Sequence, residues 1–446
     1  MKDHRMGLFT GMGMVIANMI GAGVFLSTGY MAQELTPKQI LLAWAIGAVL
    51  ALSGARAYAA IAQIVPKSGG EYRYLSDLIH PSLGYLAGWA SLLLGFSAPI
   101  AIDAIAAGAF ANTLSVRVDP KIFGAILIVI LTGVHAVGLR FSIRAQNLLV
   151  MIKIVLVVGF MAVGLLGGQN SWPEWRPPTQ SQSFPLGSFM QNLFYIAFAF
   201  SGWNAAVYAA SEFRNARRDV PRAMMLGCGL VGVLYLLVNW VFVANLTPEQ
   251  CKVVFNYETA RITLGHLIMK DLVGEFGAAC MSALAIVAFI SAMSAMTFLG
   301  PRVYAAMSRD GFLPRALRGK QGKPPIGAVI LQGAIALFLV FAYRLGEVLN
   351  SVGAILTLFS ALTVFSLFWI WFRRKDFARP SSVALVAAFC YLALAGVMLY
   401  FGFKQSATLN LWVGASILTA LAGYFLAKRR IAGQNGRVSV REETVR

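Results

Sequence analysis

Two short stretches hold residues whose types and spacing could bind a ligand. One is "VIANMIGAGVFLS", Val15 to Ser27, and the other is "AFSGWN", Ala199 to Asn204. Both lie in segments apolar enough to cross a bilayer, and both interrupt their helical pattern. Glycine weakens a helix by about 1 kcal/mol relative to alanine, so Gly21-Ala22-Gly23 marks a weak point near the middle of its segment. Helix packing through small residues uses a four-residue spacing. Gly21 and Gly23 are two apart, about 200° around a helix, and do not share one packing face. A break is the better reading, and Gly202 gives the second stretch a break of its own.

The chemistry of a broken helix follows from its ends. The downstream half starts with free N–H groups and a positive dipole end, and the upstream half finishes with free carbonyls. Amides attract an anion and carbonyls attract a cation. Two breaks side by side make a receptor for a zwitterion, and an α-amino acid is the obvious one. No side-chain charge is needed, and the two stretches contain none.

Lys153, in "NLLVMIKIVLVVGF", is nine residues past Arg144, which puts it about 13 Å into the membrane at 1.5 Å per residue. That depth works against snorkelling, and an intramembrane charge is expensive and usually functional. A lysine there can stand in for a bound sodium ion, or exchange a proton. Ser291 and Ser294, in "FISAMSAMTF", either share its pocket or make ordinary hydroxyl-to-backbone bonds. Asp103 is the one acid well inside a span. It is a buried partner for a base, part of a proton path, or a wall of a vestibule. Arg56 sits near the inner end of its span and can reach the headgroups. His4, His80, His135 and His266 have neither metal-ligand nor relay spacing. The four cysteines form no CxxC motif and no disulfide framework.

These residues need a scaffold, and composition supplies its class. Of 446 residues 58% are hydrophobic and 12% charged, and mean hydropathy is +0.71. Soluble proteins carry about a quarter charged residues. Twelve apolar segments are long enough for membrane helices, near 8–32, 39–63, 82–113, 122–139, 143–168, 187–209, 222–246, 273–300, 325–343, 348–372, 382–403 and 408–427. They are too long and uniformly apolar for barrel strands. The sequence predicts an all-α polytopic membrane protein, one transmembrane domain over 1–430, with a disordered cytoplasmic tail at 431–446. The first apolar segment is full length, with no processing site, and does not read as a cleavable signal.

The net charge of +19 raises the question of nucleic acid. With the N-terminus in the cytoplasm, 26 of the 37 Lys and Arg residues fall on the inner side. That is the positive-inside pattern, with both termini cytoplasmic, and nucleic acid drops out as a partner. An intramembrane enzyme is excluded in the same way. No His/Asp pair, metal motif or activated nucleophile stands at membrane depth, and neither metal nor cofactor is implied.

The breaks fall in the first and sixth segments. Those positions correspond if a five-helix unit, about 8–168, is repeated at 187–372 with two extra helices at 382–427. Five is odd, so the repeat is inverted, and paired interruptions mark a transporter's substrate site. The outer loop "GQNSWPEWRPPTQSQSFP" carries too many prolines for a regular helix. The stretch "NYETARITLGHLIMKD" is expected to lie as a helix over the outer mouth.

With those elements set out, "MIGAGVFLS" and "FAFSGWNAAVYAASEFRNARRDVPRAM" resemble the amino acid–polyamine–organocation superfamily of permeases. "IVPKSGGEYRYL", "GPRVYAAMSRDGFLP" and "WFRRKDFARP" agree, and the resemblance spans about residues 8–430. The L-type amino acid transporter branch and its bacterial relatives look closest. The resemblance implies the five-plus-five inverted-repeat fold of the bacterial leucine transporter. It implies a substrate carboxylate at the amides of Ala22 and Gly23, beside Gly21, and an ammonium at carbonyls near Met19, Ile20, Phe198 and Ser201. Phe200 and Trp203 become aromatic gate candidates beside Gly202. Lys153 matches a fifth-helix lysine that replaces sodium, which implies sodium independence. Asn204 stands where arginine–agmatine exchangers carry a glutamate, which weighs against a cationic substrate. Relatives read "YAELG" where this chain has "YAAIAQI", so that acid is missing. The loop Ser115 to Lys121 lacks the cysteine that ties mammalian relatives to a glycoprotein subunit, and no disulfide-linked heavy subunit is expected. The function expected is secondary transport of neutral L-amino acids at the cell membrane, by exchange or proton coupling. A polyamine or organic-cation permease and a non-transporting sensor are the alternatives.

Overall fold

The computed structural model describes residues 6–137, 139–168, 172–178, 184–320, 324–342, 345–405, 411, 413–415 and 417–429. Within them the chain is helical, and the one β-type pairing is an isolated bridge between Met6 and Phe213. The first apolar segment is two helices, α1 (Leu8–Met19) and α2 (Ala22–Met31). α3 (Pro37–Ile64) starts at a capping box, in which Thr36 accepts from the Gln39 amide and Gln39 reaches back, with Pro37 in the first turn. That arrangement satisfies two otherwise orphaned donors. A short α4 (Gly70–Leu78) leads into α5 (Pro81–Ala90), a π-helical stretch Ser91–Ser97, and α6 (Ala98–Thr113). Then come α7 (Pro120–Val137) and α8 (Leu139–Gly167).

The second half opens with α9 (Leu186–Phe200) and, after four turn residues, the single-turn α10 (Ala205–Tyr208). α11 (Ala216–Ala244) follows, then three short helices, α12 (Pro248–Asn256), α13 (Glu258–Ile262) and α14 (Leu264–Val273). α15 (Glu275–Arg309), α16 (Ile326–Ala342), α17 (Leu345–Arg373) and α18 (Ser382–Gln405) complete the set. Among the described residues nine helical units are long and apolar enough to span a membrane, and α9 and α16 are shorter apolar helices. The predicted twelfth segment, 408–427, lies partly outside the described residues, and the tail lies wholly outside them.

Two loop expectations resolve differently. Residues 172–177 of the proline-rich loop are not helical, as the prolines require; 169–171 and 179–183 are outside the described residues. The stretch expected as one covering helix is instead broken at Tyr257 and Thr263. It still packs on the C-terminal end of α2: Tyr30 donates to Glu258 at 3.0 Å and Arg261 to Gln33 at 2.7 Å. The eighth segment runs further than its apolar stretch suggests, because α15 stays helical through Pro301 to Arg309.

In a membrane, close packing rather than water exclusion holds helices together, and small residues allow the approach. α6 and α7 meet this way. A side chain on Gly108 would lie 2.4 Å from Pro120 O, and one on Gly124 would lie 2.8 Å from the Ala104 backbone. That contact fixes the face of α6 that carries Asp103. α11 packs on α3 and α1, and α15 on α6, α1 and α8, so α1 lies among α8, α11 and α15.

Candidate functional site

The first break is at Ile20 and Gly21. Ile20 leaves helical geometry (ψ 89°), Gly21 is extended, and Ala22 and Gly23 form the first turn of α2. The second break spans Ser201 to Asn204, where Gly202 has φ +100°. The two pack directly together. A Cβ on Gly23 would sit 2.4 Å from Ala199 Cα, and one on Gly202 would sit 2.4 Å from Asn18 Nδ2. Tyr235 of α11 ties the upstream halves, its hydroxyl lying 2.5 Å from Met19 O and 2.9 Å from Ala199 O.

A cavity opens beside the breaks. Met19, Gly21, Ala22, Gly23, Phe198, Phe200, Ser201, Gly202, Trp203, Asn204 and Asp103 all lie on its wall. Ile20 does not; its carbonyl faces the other way, toward Lys153. The Lys153 side chain is fully buried, and its Nζ donates to Ala17 O at 3.0 Å and Ile20 O at 2.5 Å. These carbonyls belong to the last turn of α1 and to the residue that follows it. Phe198 O accepts from the Ser201 amide at 2.9 Å. Trp203 stands edge-on to Tyr58 with centroids 4.7 Å apart, and Phe200 packs on Trp44 and Tyr235. The serines do not join Lys153. Ser294 Oγ is 2.9 Å from His135 Nε2, and Ser291 Oγ is buried with no hydrogen-bond partner among the described residues.

Asp103 has a definite position. It is 2% exposed, and its Oδ1 accepts from the Ala22 amide at 2.7 Å. This contact with the break is none of the three readings open to it in the sequence.

Glu71 is the residue that motif reading passes over. The "YAAIAQI" stretch lacks an acid, yet α4 folds back and delivers one from "SGGEYRYL". Glu71 is 5% exposed and on the cavity wall. Its Oε1 accepts from Tyr58 Oη at 2.9 Å and Asn204 Nδ2 at 2.5 Å, while Oε2 has no partner among the described residues. An acid therefore adjoins Asn204 after all, supplied by another element. The faint signal is an acid directly after a glycine pair, in the short segment between two spans.

Burial pushes the Glu71 carboxyl above the ordinary carboxylate range, and the bonds from Tyr58 and Asn204 only partly offset this. A raised acid binds its proton more tightly in the folded than in the unfolded chain. Its contribution to stability is complete below the unfolded value and is lost as pH rises through the folded one. Glu71→Gln removes that titration and keeps the Oε1 acceptor. Its thermal-midpoint advantage over wild type is expected to grow between about pH 5 and about pH 8. A difference that is flat or shrinks with pH in detergent melting curves would contradict this.

Sequence comparison adds the decisive match. The profile of the amino acid permease family covers residues 6–426. This chain belongs to that family. Among its relatives is the b(0,+)-type amino acid transporter 1 of Mus musculus, 26% identical over 442 residues, covering 95% of this chain and 88% of the relative. Another is the large neutral amino acids transporter small subunit 2 of Rattus norvegicus, 25% identical over 439 residues, covering 95% and 80%. The chain is thus a multi-pass membrane protein of a transporter family, and its two broken helices and central cavity fall within the matched region.

Proposed function

We propose that this permease carries neutral L-amino acids across the cell membrane by alternating access, without sodium, through exchange or proton coupling. The observation that carries the reading is Lys153 on the carbonyls of Ala17 and Ile20. A resident ammonium already satisfies the carbonyl end of the first break, where a cation would otherwise be required. The amides of Ala22 and Gly23 serve the substrate carboxylate, and carbonyls near Met19, Phe198 and Ser201 serve its ammonium. Phe200 and Trp203 close over it. The scaffold in this reading is twelve spans in a five-plus-five inverted repeat with two added helices. Both termini are cytoplasmic and no disulfide-linked subunit takes part.

A second reading rests on the cavity wall. Asp103 and Glu71 line it, and among the described residues no Lys, Arg or His does, a balance that suits an organic cation or polyamine. Purified protein in liposomes separates the two. Uptake of labelled L-amino acids is expected, unchanged when potassium replaces sodium and stimulated by internal amino acid or an inward proton gradient. Uptake confined to amines without a carboxylate would select the second reading, and strong sodium dependence would remove the role given to Lys153.

A further inference from the structure

Side chains of the protein already engage both ends of the first break, at the carbonyls of Ala17 and Ile20 and at the amide of Ala22. Its carbonyl end is held by Lys153 and its amide end by Asp103, so the chain itself supplies an ammonium and a carboxylate where a zwitterion would sit. The two groups are not equivalent. Lys153 makes two hydrogen bonds and is off the cavity wall; Asp103 is on the wall, and Ala22 is its only hydrogen-bond partner among the described residues. A Cβ on Gly21 would meet both Asp103 carboxylate oxygens at about 3.0 Å, so the carboxylate rests against the bend itself. Glu71, buried beside the second break, lines the same cavity.

We propose that Asp103 is a tethered carboxylate that occupies the amide end of the first break in the empty permease, and that a substrate carboxylate reaches those amides only by displacing it. The inference rests on the amino acid reading above. A group fixed beside its acceptor competes at an effective concentration of about millimolar or more. The fraction of protein with the amides free then scales the apparent affinity for any carboxylate that needs them. Lys153 remains on the carbonyl end throughout, so binding exchanges one carboxylate for another and leaves the local charge unchanged. Asp103 acts as a specificity-determining residue: it penalises weak carboxylate ligands and leaves ligands without a carboxylate unaffected.

The test is equilibrium binding to the purified full chain of L-leucine and L-alanine, each paired with its primary amide, which lacks the carboxylate. Asp103→Ala is expected to tighten both amino acids by about tenfold and leave the amides unchanged, so that discrimination between them widens. Asp103→Asn keeps a neutral acceptor for the Ala22 amide, and a neutral hydrogen bond is about half as strong as a charged one. It should move affinity the same way by less, and it serves if the alanine variant does not fold. Amino acid affinity that is unchanged or weaker in both variants would overturn the proposal. Loss of amino acid and amide together would also overturn it, making Asp103 a direct partner of the ammonium. If wild type binds none of these amino acids while binding simple amines, the transport reading itself fails, and the inference with it.

Discussion

Uptake by Lys153→Met permease is expected to fall at least about 100-fold, because removing one partner of a buried ionic arrangement costs about 3–5 kcal/mol and each 1.4 kcal/mol is about tenfold. Methionine preserves most of the side-chain volume, so the loss is chemical. Two carbonyls at the end of α1, those of Ala17 and Ile20, lose their donor, and no main-chain N–H is available to them because the helix ends there. The Asp103 carboxylate on the other side of the break loses the ammonium that attracts it. Both losses loosen the hinge between α1 and α2 and disorder the site more than the fold, since α1 is still enclosed by α11 and α15. The measurement is proteoliposome uptake beside size-exclusion profiles. Near wild-type uptake by a monodisperse variant would show that the lysine is merely tolerated.

What the sequence makes legible here is local. The Gly21-Ala22-Gly23 break can be read because glycine is a backbone signal that needs no neighbours, and the structure breaks at Ile20 and Gly21, within one residue of it. Long apolar segments declare most of the helices for the same reason. Pairings across the fold are not legible. His135 and Ser294 meet over 159 residues, and Glu71 and Asn204 over 133. Single-sequence spacing carries no trace of either, so four histidines without relay spacing conceal a buried His–Ser contact. Asp103 shows the limit from the other side. Its depth in a span marks it as unusual, but only the packing of α6 against α7 and α15 aims it at the Ala22 amide. The continuation of α15 to Arg309 is hidden by Gly300-Pro301 and the charges beyond, which read as a boundary although the chain remains helical through them.

Gly202→Ala is expected to lower uptake by more than about tenfold, with two physical terms acting together. The backbone there has φ +100°, a conformation that costs a residue with a side chain about 1–3 kcal/mol. The space is also taken: the added methyl would lie 2.4 Å from Asn18 Nδ2 and 3.0 Å from the Asn18 backbone. Asn18 is in the last turn of α1, one residue before Met19. The methyl would therefore push the two broken helices apart where they now touch. In the proposed site, their closeness lets amides from one break and carbonyls from the other face a single small zwitterion. Gly23→Ala strikes the same contact from the opposite side, at Ala199 Cα, in a helical conformation that alanine adopts without strain. Comparing the two isolates the separation of the helices from the backbone term. If separation is what matters, both variants lose substrate affinity. If only Gly202→Ala is impaired, the special conformation of the second break is the essential feature and its distance from the first is not.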